Sequence, residues 1–243
     1  GDVIYVADPG TNCIHRYDLR NGRYRCLLTA DGMPITSPVS ITTSRQGRLY
    51  VTDSAAGTVF TADAGQDALE PMNLVPPPQQ PTGIVTSPSG DLFVASTRSH
   101  TVGHYGPDGR LIREFGGRGD GRGEMNYPTY LWFAPPRDLL VTDTMNFRIL
   151  RFDIENGIIT EFGEVGDGTG HMARPKGVAV DSDNHVYVVD ALHNALQIFN
   201  AQGSLLLAVG EQGQAAGQFW LPSGIYVSEI DLIFIADADN GRV

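Results

Sequence analysis

The sequence contains a single lysine and no long apolar run. Lys176 is the one lysine among 243 residues, and acidic residues outnumber Lys and Arg by 28 to 17, for a net charge of −11. Because nucleic-acid affinity depends largely on clustered Lys and Arg, this composition argues against nucleic acid as a partner. No stretch approaches the roughly 18 consecutive apolar residues of a transmembrane helix, so no membrane span is expected.

Cysteine is almost as scarce, with only Cys13 and Cys26. Both fall on predicted strands that are neighbours. If Asp18 pairs with Arg23, Cys13 faces Leu28 and lies diagonal to Cys26, which is a looser approach than a disulfide prefers. We therefore expect two small buried thiols, while a disulfide stays open if the register differs. Cysteine content alone does not define the redox compartment.

A motif that begins with proline recurs at a fixed spacing along the chain. The copies start at Pro38, Pro81, Pro128, Pro175 and Pro222, and the last three are 47 residues apart. Each copy begins a series of short runs rich in β-branched and aromatic residues. Such runs, bounded by Gly, Pro, Asn, Asp and Ser, predict β-strands. Four strands in about 45 residues are typical of one blade of a β-propeller.

An acidic residue closes the second run of most copies. Asn or Gly follows three or four residues later, and both tolerate the positive φ of a hairpin turn. We expect each Asp side chain to bond the backbone of this following turn. The closing positions are Asp8, Asp53, Ser96, Asp143, Asp190 and Asp237, and the turn residues are Asn12, Gly57, Asn146, Asn194, Asn240 and Gly241.

At these positions the chain resembles the NHL-repeat family. The family pattern is Pro-x-Gly-Ile-Ala-Val followed by Val-x-Asp-x-x-Asn-x-Arg-Ile-x-x-Phe, and its second part is matched by Asp143, Asn146, Arg148, Ile149 and Phe152. The resemblance extends over the whole chain. It implies an all-β fold, a six-bladed β-propeller of four-stranded NHL-like blades of the bacterial type. Because the family carries unrelated activities, the resemblance specifies architecture rather than function.

The repeat assigns residues 1–243 to a single propeller domain. The blades are expected near residues 1–32, 38–76, 81–116, 128–163, 175–210 and 222–243. The first has no strand led by proline, and the last stops at Val243, before its third strand. We therefore expect a six-bladed ring that is incomplete at both ends. The last strand of the fourth blade is predicted over Ile158–Phe162.

Long glycine-rich loops precede the first strand of the later blades. They span Gly116–Tyr127, Gly163–Arg174 and Gly210–Leu221. Since loops at one rim usually carry function in such folds, partner contacts are expected there. Three apolar residues repeat at matching places in these loops and are interpreted as core between blades: Met125, Met172 and Phe219.

Loop residues that do not repeat from blade to blade are candidates for partner contacts, because the fold does not require them. Tyr130 lies on an innermost strand where other copies carry Ser or Gly, and it is interpreted either as a plug of the channel or as a binding residue. A mixture of exposed aromatic residues and arginine is typical of protein-binding hot spots. The predicted partner-binding residues are Arg118, Arg122, Tyr127, Tyr130, His171 and Trp220.

The first function that the resemblance implies is a non-enzymatic scaffold. Through Val186–Phe199 and Gln218–Gly224, the chain is similar to bacterial NHL proteins predicted to lie outside the cytoplasm, some of them encoded beside multihaem cytochromes. This similarity implies a protein partner, of which a multihaem cytochrome is one example, within an envelope or electron-transfer assembly. It also implies an extracytoplasmic location, in the periplasm or at the cell surface.

The alternative is a metal-dependent hydrolase or lyase with its site at the channel mouth, since six-bladed relatives include lactonases and the peptide-amidating lyase. The complete innermost strands offer Asp181 but no histidine, whereas a catalytic zinc requires three protein ligands. The segment Gly119–Gly121 lacks the dense oxygen-ligand spacing of a calcium loop. We therefore expect no catalytic, cofactor-binding or metal-binding residues, and we favour the scaffold.

Overall fold

The computed structural model describes residues 3–157 and 159–243. Strands account for 51% of the chain and helices for 2%, which confirms the predicted all-β class. The chain divides into two compact units, Gly1–Gly116 and Gly117–Val243. Within the described residues, no helix has the length and apolar character needed to cross a membrane.

The first unit is built from the strands β1 (Val3–Asp8), β2 (Cys13–Asp18), β3 (Arg23–Thr29), β4 (Pro38–Thr43), β5 (Leu49–Asp53), β6 (Thr58–Ala62), β7 (Ala68–Met72), β8 (Pro81–Thr86), β9 (Leu92–Ser96), β10 (Thr101–Tyr105) and β11 (Leu111–Gly116). They form antiparallel meanders in two sheets, with the orders β1-β2-β3-β7-β6-β5-β4 and β11-β10-β9-β8.

The outer strands of the first two meanders pair with each other. β3 lies parallel to β7, with Leu28 opposite Ala68 and Thr29 opposite Leu69. The amide of Ala30 extends this link by donating to the carbonyl of Leu69 at 2.8 Å. The two meanders are therefore joined sideways into one seven-stranded sheet, which the repeat pattern did not predict.

The second unit is built from the strands β12 (Pro128–Ala134), β13 (Asp138–Asp143), β14 (Arg148–Asp153), β15 (Ile159–Phe162), β16 (Pro175–Val180), β17 (Val186–Asp190), β18 (Ala195–Phe199), β19 (Leu205–Val209), β20 (Ile225–Val227) and β21 (Ile233–Ile235). They form sheets of four, four and two strands in chain order. Single 3-10 turns at Thr144–Asn146 and Ala238–Asn240 follow β13 and β21. Ile158, predicted to begin the strand now seen as β15, lies outside the described residues.

The predicted second strand is present in every copy of the repeat, as β1, β5, β9, β13, β17 and β21. The sheets β8–β11, β12–β15 and β16–β19 have the predicted four strands. The number of blades in the ring, its closure and the bounds of the domain stay predictions.

The second strand of a four-stranded meander is covered on both faces. Every residue of β5, β9 and β17 is buried. The sequences of such strands are continuously apolar rather than alternating between apolar and polar residues, because neither face of the strand contacts water. In the second unit, one core cluster joins Leu140 and Ile149 of one sheet to Val178, Val188 and Phe199 of the next. Neighbouring sheets of this unit therefore stack face to face.

Each hairpin that follows a second strand contains one residue with a left-handed backbone at the same position. It lies four positions after the residue that closes the second strand. The predicted hairpins are confirmed, but Asn146 and Asn240 are not the left-handed residues, because each lies in a 3-10 turn just before one. The left-handed residues are Asn12, Gly57, His100, Phe147, Asn194 and Gly241.

Cys13 and Cys26 form a disulfide, with their Cα atoms 5.7 Å apart. The register is the predicted one, since Asp18 pairs with Arg23, and His15 lies opposite Cys26. The expectation of two buried thiols is therefore wrong. The diagonal between the two cysteines falls within the usual Cα separation of disulfides, about 4.4–6.8 Å. Burial was right for Cys13 alone, because Cys26 is exposed.

Candidate functional site

Four of the five loops that precede a first strand are bonded to the aspartate that closes the second strand of the same sheet. The carboxylate accepts a hydrogen bond from a backbone amide 17 residues earlier, at 2.6–2.7 Å. The donor and acceptor pairs are Thr36 with Asp53, Asn126 with Asp143, Ala173 with Asp190 and Trp220 with Asp237. These aspartates are nearly inaccessible to solvent, so each of these loops is fixed to a buried anchor.

The bonds to the following turn differ from one aspartate to another. Asp53 accepts from the amide of Ala56, and Asp190 accepts from the amides of Leu192 and His193, as predicted. For Asp143 and Asp237 the prediction of a backbone bond is wrong. Their second carboxylate oxygen binds Asn and Arg side chains of the turn and the next strand.

Arg148 fills the interior of the loop 117–127. Its Nε donates to Asp143 at 2.9 Å, and one terminal nitrogen donates to Glu161 on the outer strand β15. The carbonyls of Asp120, Gly121 and Glu124 accept its remaining bonds at 2.9–3.1 Å. All five N–H donors of the guanidinium are thereby used. The side chain is 9% exposed, so the loop is wrapped around a buried cation.

The same arrangement recurs in the last sheet. Arg242 donates from Nε to Asp237 at 2.8 Å and to the carbonyls of Gln214, Ala215 and Gln218. Asn240 donates to Asp237 and to the carbonyl of Gly213, as Asn146 does to Asp143 and Gly119. Burial alone would raise the pKa of Asp237, but its bonds from Trp220, Asn240 and Arg242 outweigh burial and lower it.

The sheet between them holds its loop differently. Ala195 pairs with Asp190 as Arg148 pairs with Asp143, so this sheet has no arginine at that position. Gln197, which is 1% exposed, takes over part of the role: its Nε2 donates to the carbonyl of His171 at 2.7 Å, and its Oε1 accepts from Gly170 at 2.8 Å. Two bonds to the loop therefore take the place of the three that Arg148 makes to its own loop.

The loops of the second unit form one connected surface, here called the loop surface (residues 117–127, 163–174 and 210–221). Thr144, in the hairpin that anchors the first loop, donates to the carbonyl of Pro175 at the end of the second. Asn194, in the next hairpin, accepts from the amide of Leu221 at the end of the third. Met125 and Met172 are fully buried beneath this surface, as predicted, while Phe219 is only half-buried.

Four of the predicted site residues display their side chains on the loop surface. Arg118 and Arg122 are exposed, and Arg122 also reaches the carbonyl of Ile159 at 3.3 Å. Tyr127 is 46% exposed and has a left-handed backbone, and Trp220 is 38% exposed. Large aromatic side chains on a fixed backbone can bind a partner with little loss of conformational entropy.

His171 is only half-buried and belongs to the loop itself. Its ring lies against Gly166 and Gly168. In the preceding loop, the Glu124 side chain lies against Gly119 and Gly121 in the same way. Its Nδ1 is buried without a hydrogen-bond partner among the described residues. The geometry gives His171 a part in shaping the loop.

Tyr130 is partly buried at the start of β12. Its side chain is hydrogen-bonded to that of Ser223, and burial raises its pKa against the lowering effect of that bond. Tyr130 thus connects β12 to the segment that leads into β20, in a sheet that is not the next one in the chain. Nearby on β16, burial lowers the pKa of Lys176, and the positive charge of Arg174 lowers it further.

Sequence reasoning missed Arg148 and Arg242 as the side chains that hold two of the loops from inside. The signal was present, because Arg148 and Arg242 both follow the closing aspartate by five residues. It also missed an open cleft of about 570 Å³ in the first unit, lined by turn residues that include Ser44, Arg48 and Asp63. Within residues 3–157 and 159–243, no three His, Cys, Asp or Glu side chains are grouped so as to hold a metal ion.

The chain was compared with known proteins. The family model of the NHL repeat matches residues 172–199. No curated protein matches the sequence.

Several solved structures share the fold. Virginiamycin B lyase from Staphylococcus aureus is 19% identical, with a TM-score of 0.66 over 96% of this chain and 80% of that one. An auxiliary nutrient binding protein from Bacteroides ovatus is 14% identical, with a TM-score of 0.74 over 99% and 65% of the two chains. A chain of a nidogen/laminin complex is 19% identical, with a TM-score of 0.69 over 97% and 81%. At such low identity the likeness shows the fold alone. Together with the NHL repeat match over residues 172–199, it supports an NHL-type β-propeller fold.

Proposed function

We propose that this protein is a non-enzymatic scaffold that binds a protein partner through the loop surface. The proposal rests on one observation, which is that exposed candidate contact residues lie on loops whose backbone is hydrogen-bonded from inside. Arg148 and Arg242 hold two of the three loops from inside, while Arg118, Tyr127 and Trp220 face solvent above them. A preorganised surface of this kind binds with a smaller entropic cost than mobile loops would.

The composition of the loop surface favours a protein as the partner. Trp, Tyr and Arg are the residue types that dominate binding energy at protein interfaces, since they combine large contact area with hydrogen-bonding groups. Both aromatic residues lie close to a buried aspartate: the amide of Trp220 itself donates to Asp237, and the amide of Asn126, the residue before Tyr127, donates to Asp143. We assign the central contacts to these two aromatic residues, with Arg118 and Arg122 around them and His171 and Tyr130 supporting the loops.

We extend the proposal to an extracytoplasmic location, in the periplasm or at the cell surface. The disulfide between Cys13 and Cys26 supports it, because disulfides persist mainly in oxidising compartments. A role in an envelope or electron-transfer assembly, with a multihaem cytochrome as partner, rests on the resemblance to bacterial NHL proteins.

Site-directed photocrosslinking tests the proposal. A photoreactive amino acid replaces Tyr127 or Trp220 in cells of the source organism, and Ile112, which is 61% exposed on β11 in the first unit, serves as the matched control. The expected result is one protein adduct shared by the two loop positions and absent at Ile112. A partner that crosslinks only to Ile112 would contradict the site.

Affinity measurements with the identified partner complete the test. Truncating Tyr127 and Trp220 together should weaken binding by about 2 kcal/mol or more while the melting temperature stays within a few degrees. An unchanged affinity would exclude the loop surface. Metal analysis of the purified protein distinguishes the scaffold from the alternative function. A stoichiometric amount of calcium or zinc would favour the metal-dependent hydrolase or lyase.

A further inference from the structure

The two cysteine residues of the disulfide differ in their exposure to solvent. Cys13 is 2% exposed, whereas Cys26 lies on the exposed side of β3. Thiol–disulfide exchange requires a thiolate to approach one sulfur atom in line with the bond that breaks. An incoming thiol can therefore reach Cys26, and Cys13 is the sulfur that must leave.

A histidine lies beside the buried sulfur. The Nδ1 of His15 is 3.6 Å from the Sγ of Cys13, and its Nε2 is 3.1 Å from an Asp8 carboxylate oxygen. Asp8 is itself held by the hydroxyl of Thr11 at 2.7 Å and the amide of Gly10 at 2.8 Å. The hydrogen bond from Thr11, and then that from His15, lower the pKa of Asp8 against burial. With Nε2 directed at this carboxylate, Nδ1 is the ring nitrogen that faces the sulfur of Cys13.

Tyr24 shares the same imidazole nitrogen. Its hydroxyl lies 2.9 Å from Nδ1, and its ring stacks on His15 at a centroid distance of 5.7 Å. Tyr17 packs against both rings. The stack fixes the imidazole plane next to the disulfide, while the phenol competes with the Cys13 sulfur for Nδ1.

We propose that Cys13–Cys26 is a redox-reactive disulfide that exchanges with external thiols, with His15 as the acid for the leaving sulfur. The attacking thiolate forms a bond to the Sγ of Cys26, and the bond between Cys26 and Cys13 breaks. Its electron pair leaves with Cys13, whose thiolate takes the proton of His15 Nδ1. A second thiol of the reductant then attacks the mixed disulfide and releases Cys26. Two external thiols are oxidised to a disulfide, and the protein disulfide gains two electrons.

A positively charged imidazole favours this step because it lowers the energy of a neighbouring thiolate. Asp8 holds the imidazole in place through Nε2. The partner class is a thiol or dithiol reductant, small or borne by a protein.

Trapping with reduced glutathione identifies the sulfur that is attacked. The native protein is incubated with glutathione, quenched with an alkylating reagent and mapped by mass spectrometry. The expected intermediate carries glutathione on Cys26 and the alkyl group on Cys13. Glutathione found on Cys13, or reduction that requires a denaturant, would overturn the proposal.

Kinetics of reduction test the role of His15. His15→Gln should slow the exchange by about tenfold or more, as the loss of a general acid does. His104→Gln is the matched control, because His104 lies 3.1 Å from Asp91 in the same type of pair but has no disulfide beside it. Equal rates for wild type and His15→Gln would overturn the acid role.

The pH profile distinguishes an acid from a structural role. Among residues 3–157 and 159–243, the titratable groups found facing His15 are Asp8 from β1, Tyr17 on its own strand and Tyr24 from β3. Per attacking thiolate, the wild-type rate should fall as the imidazole loses its proton, and the His15→Gln rate should stay flat. Tyr24→Phe keeps the ring but frees Nδ1, so it should speed the exchange by about tenfold at most. This variant keeps the proposal testable if His15→Gln fails to fold, and no increase would contradict it.

Discussion

Arg148 donates its Nε to Asp143 at 2.9 Å, in a pair that is almost closed to solvent. Because the other guanidinium nitrogens hold three loop carbonyls, Arg148→Ala would leave a buried carboxylate and those carbonyls without their partner. We expect a loss of about 3–5 kcal/mol in the free energy of unfolding, measured by urea denaturation.

Arg242→Ala is the matched control for this measurement. It removes the same bond to an aspartate, but the Arg242 side chain is 41% exposed, so water can replace part of what is lost. The loss should be clearly smaller than for Arg148→Ala. Equal losses would show that burial of the pair does not determine its contribution.

Gln197→Leu should loosen the loop 163–174. The change leaves the Gly170 amide and the His171 carbonyl without their partner, at a cost of about 1–3 kcal/mol. Leucine itself fits such a position, since Leu150 is fully buried at the equivalent place in the preceding sheet. Hydrogen exchange should quicken at Gly170 and change little in the loop 117–127.

Adding an arginine should repair that variant. In Ala195→Arg with Gln197→Leu, the guanidinium would stand opposite Asp190, as Arg148 stands opposite Asp143. Stability and slow exchange in the loop should largely return. If the double variant is less stable than Gln197→Leu alone, the two loops are not equivalent in shape.

Gly177→Ala should destabilise the close approach of two first strands. A Cβ at Gly177 would lie 2.8 Å from the Ile225 amide nitrogen and 2.9 Å from the Ser223 carbonyl oxygen. Since backbone atoms must move, we expect a cost of about 1–3 kcal/mol in thermal or urea melts. Gly224→Ala, at the same place in the repeat, would meet only the Cβ of Ala236 at 3.6 Å and should be close to neutral.

Alkaline titration should reveal late phenols, among them Tyr105 and Tyr187. Burial, followed by the charge of Glu114, raises the pKa of Tyr105 to about 12. Burial, followed by the bond to Asp181, raises the pKa of Tyr187 to about 12. Both phenols favour the protonated form when folded, so their stabilisation is fully present below pH 10 and is lost as the pH rises towards 12. Absorbance of phenolate follows this, and Tyr187→Phe should remove one late titration. A simple titration of every tyrosine near pH 10 would contradict it.

The sequence predicted those features that depend on local pattern. The closing aspartates, the apolar second strands and the buried Met125 and Met172 follow from composition repeated at a fixed spacing. The hairpins followed from the same pattern, although the left-handed residue after β13 is Phe147 rather than Asn146. A bulky residue is uncommon at positive φ, and packing against the neighbouring core holds it there.

Features that join distant residues were not predictable in this way. The amide that binds Asp143 lies 17 residues before it, and no residue type marks a backbone donor. The disulfide depended on side-chain geometry across a diagonal, which register alone does not define. Gln197 takes over part of the role that Arg148 has in the neighbouring sheet, but it lies two positions after Ala195, the residue aligned with that arginine. A comparison of aligned positions therefore shows only an alanine in place of an arginine.

The parallel pairing of β3 with β7 has a consequence for a nicked chain. Because Leu28 and Thr29 are bonded through the backbone to a strand some 40 residues later, the first three strands are attached to their neighbour independently of the connection 30–37. Proteolytic cleavage in that connection would leave two fragments that stay together under native conditions and migrate apart only after denaturation. The first fragment would act as a noncovalent subunit, held by main-chain hydrogen bonds as well as by packed side chains.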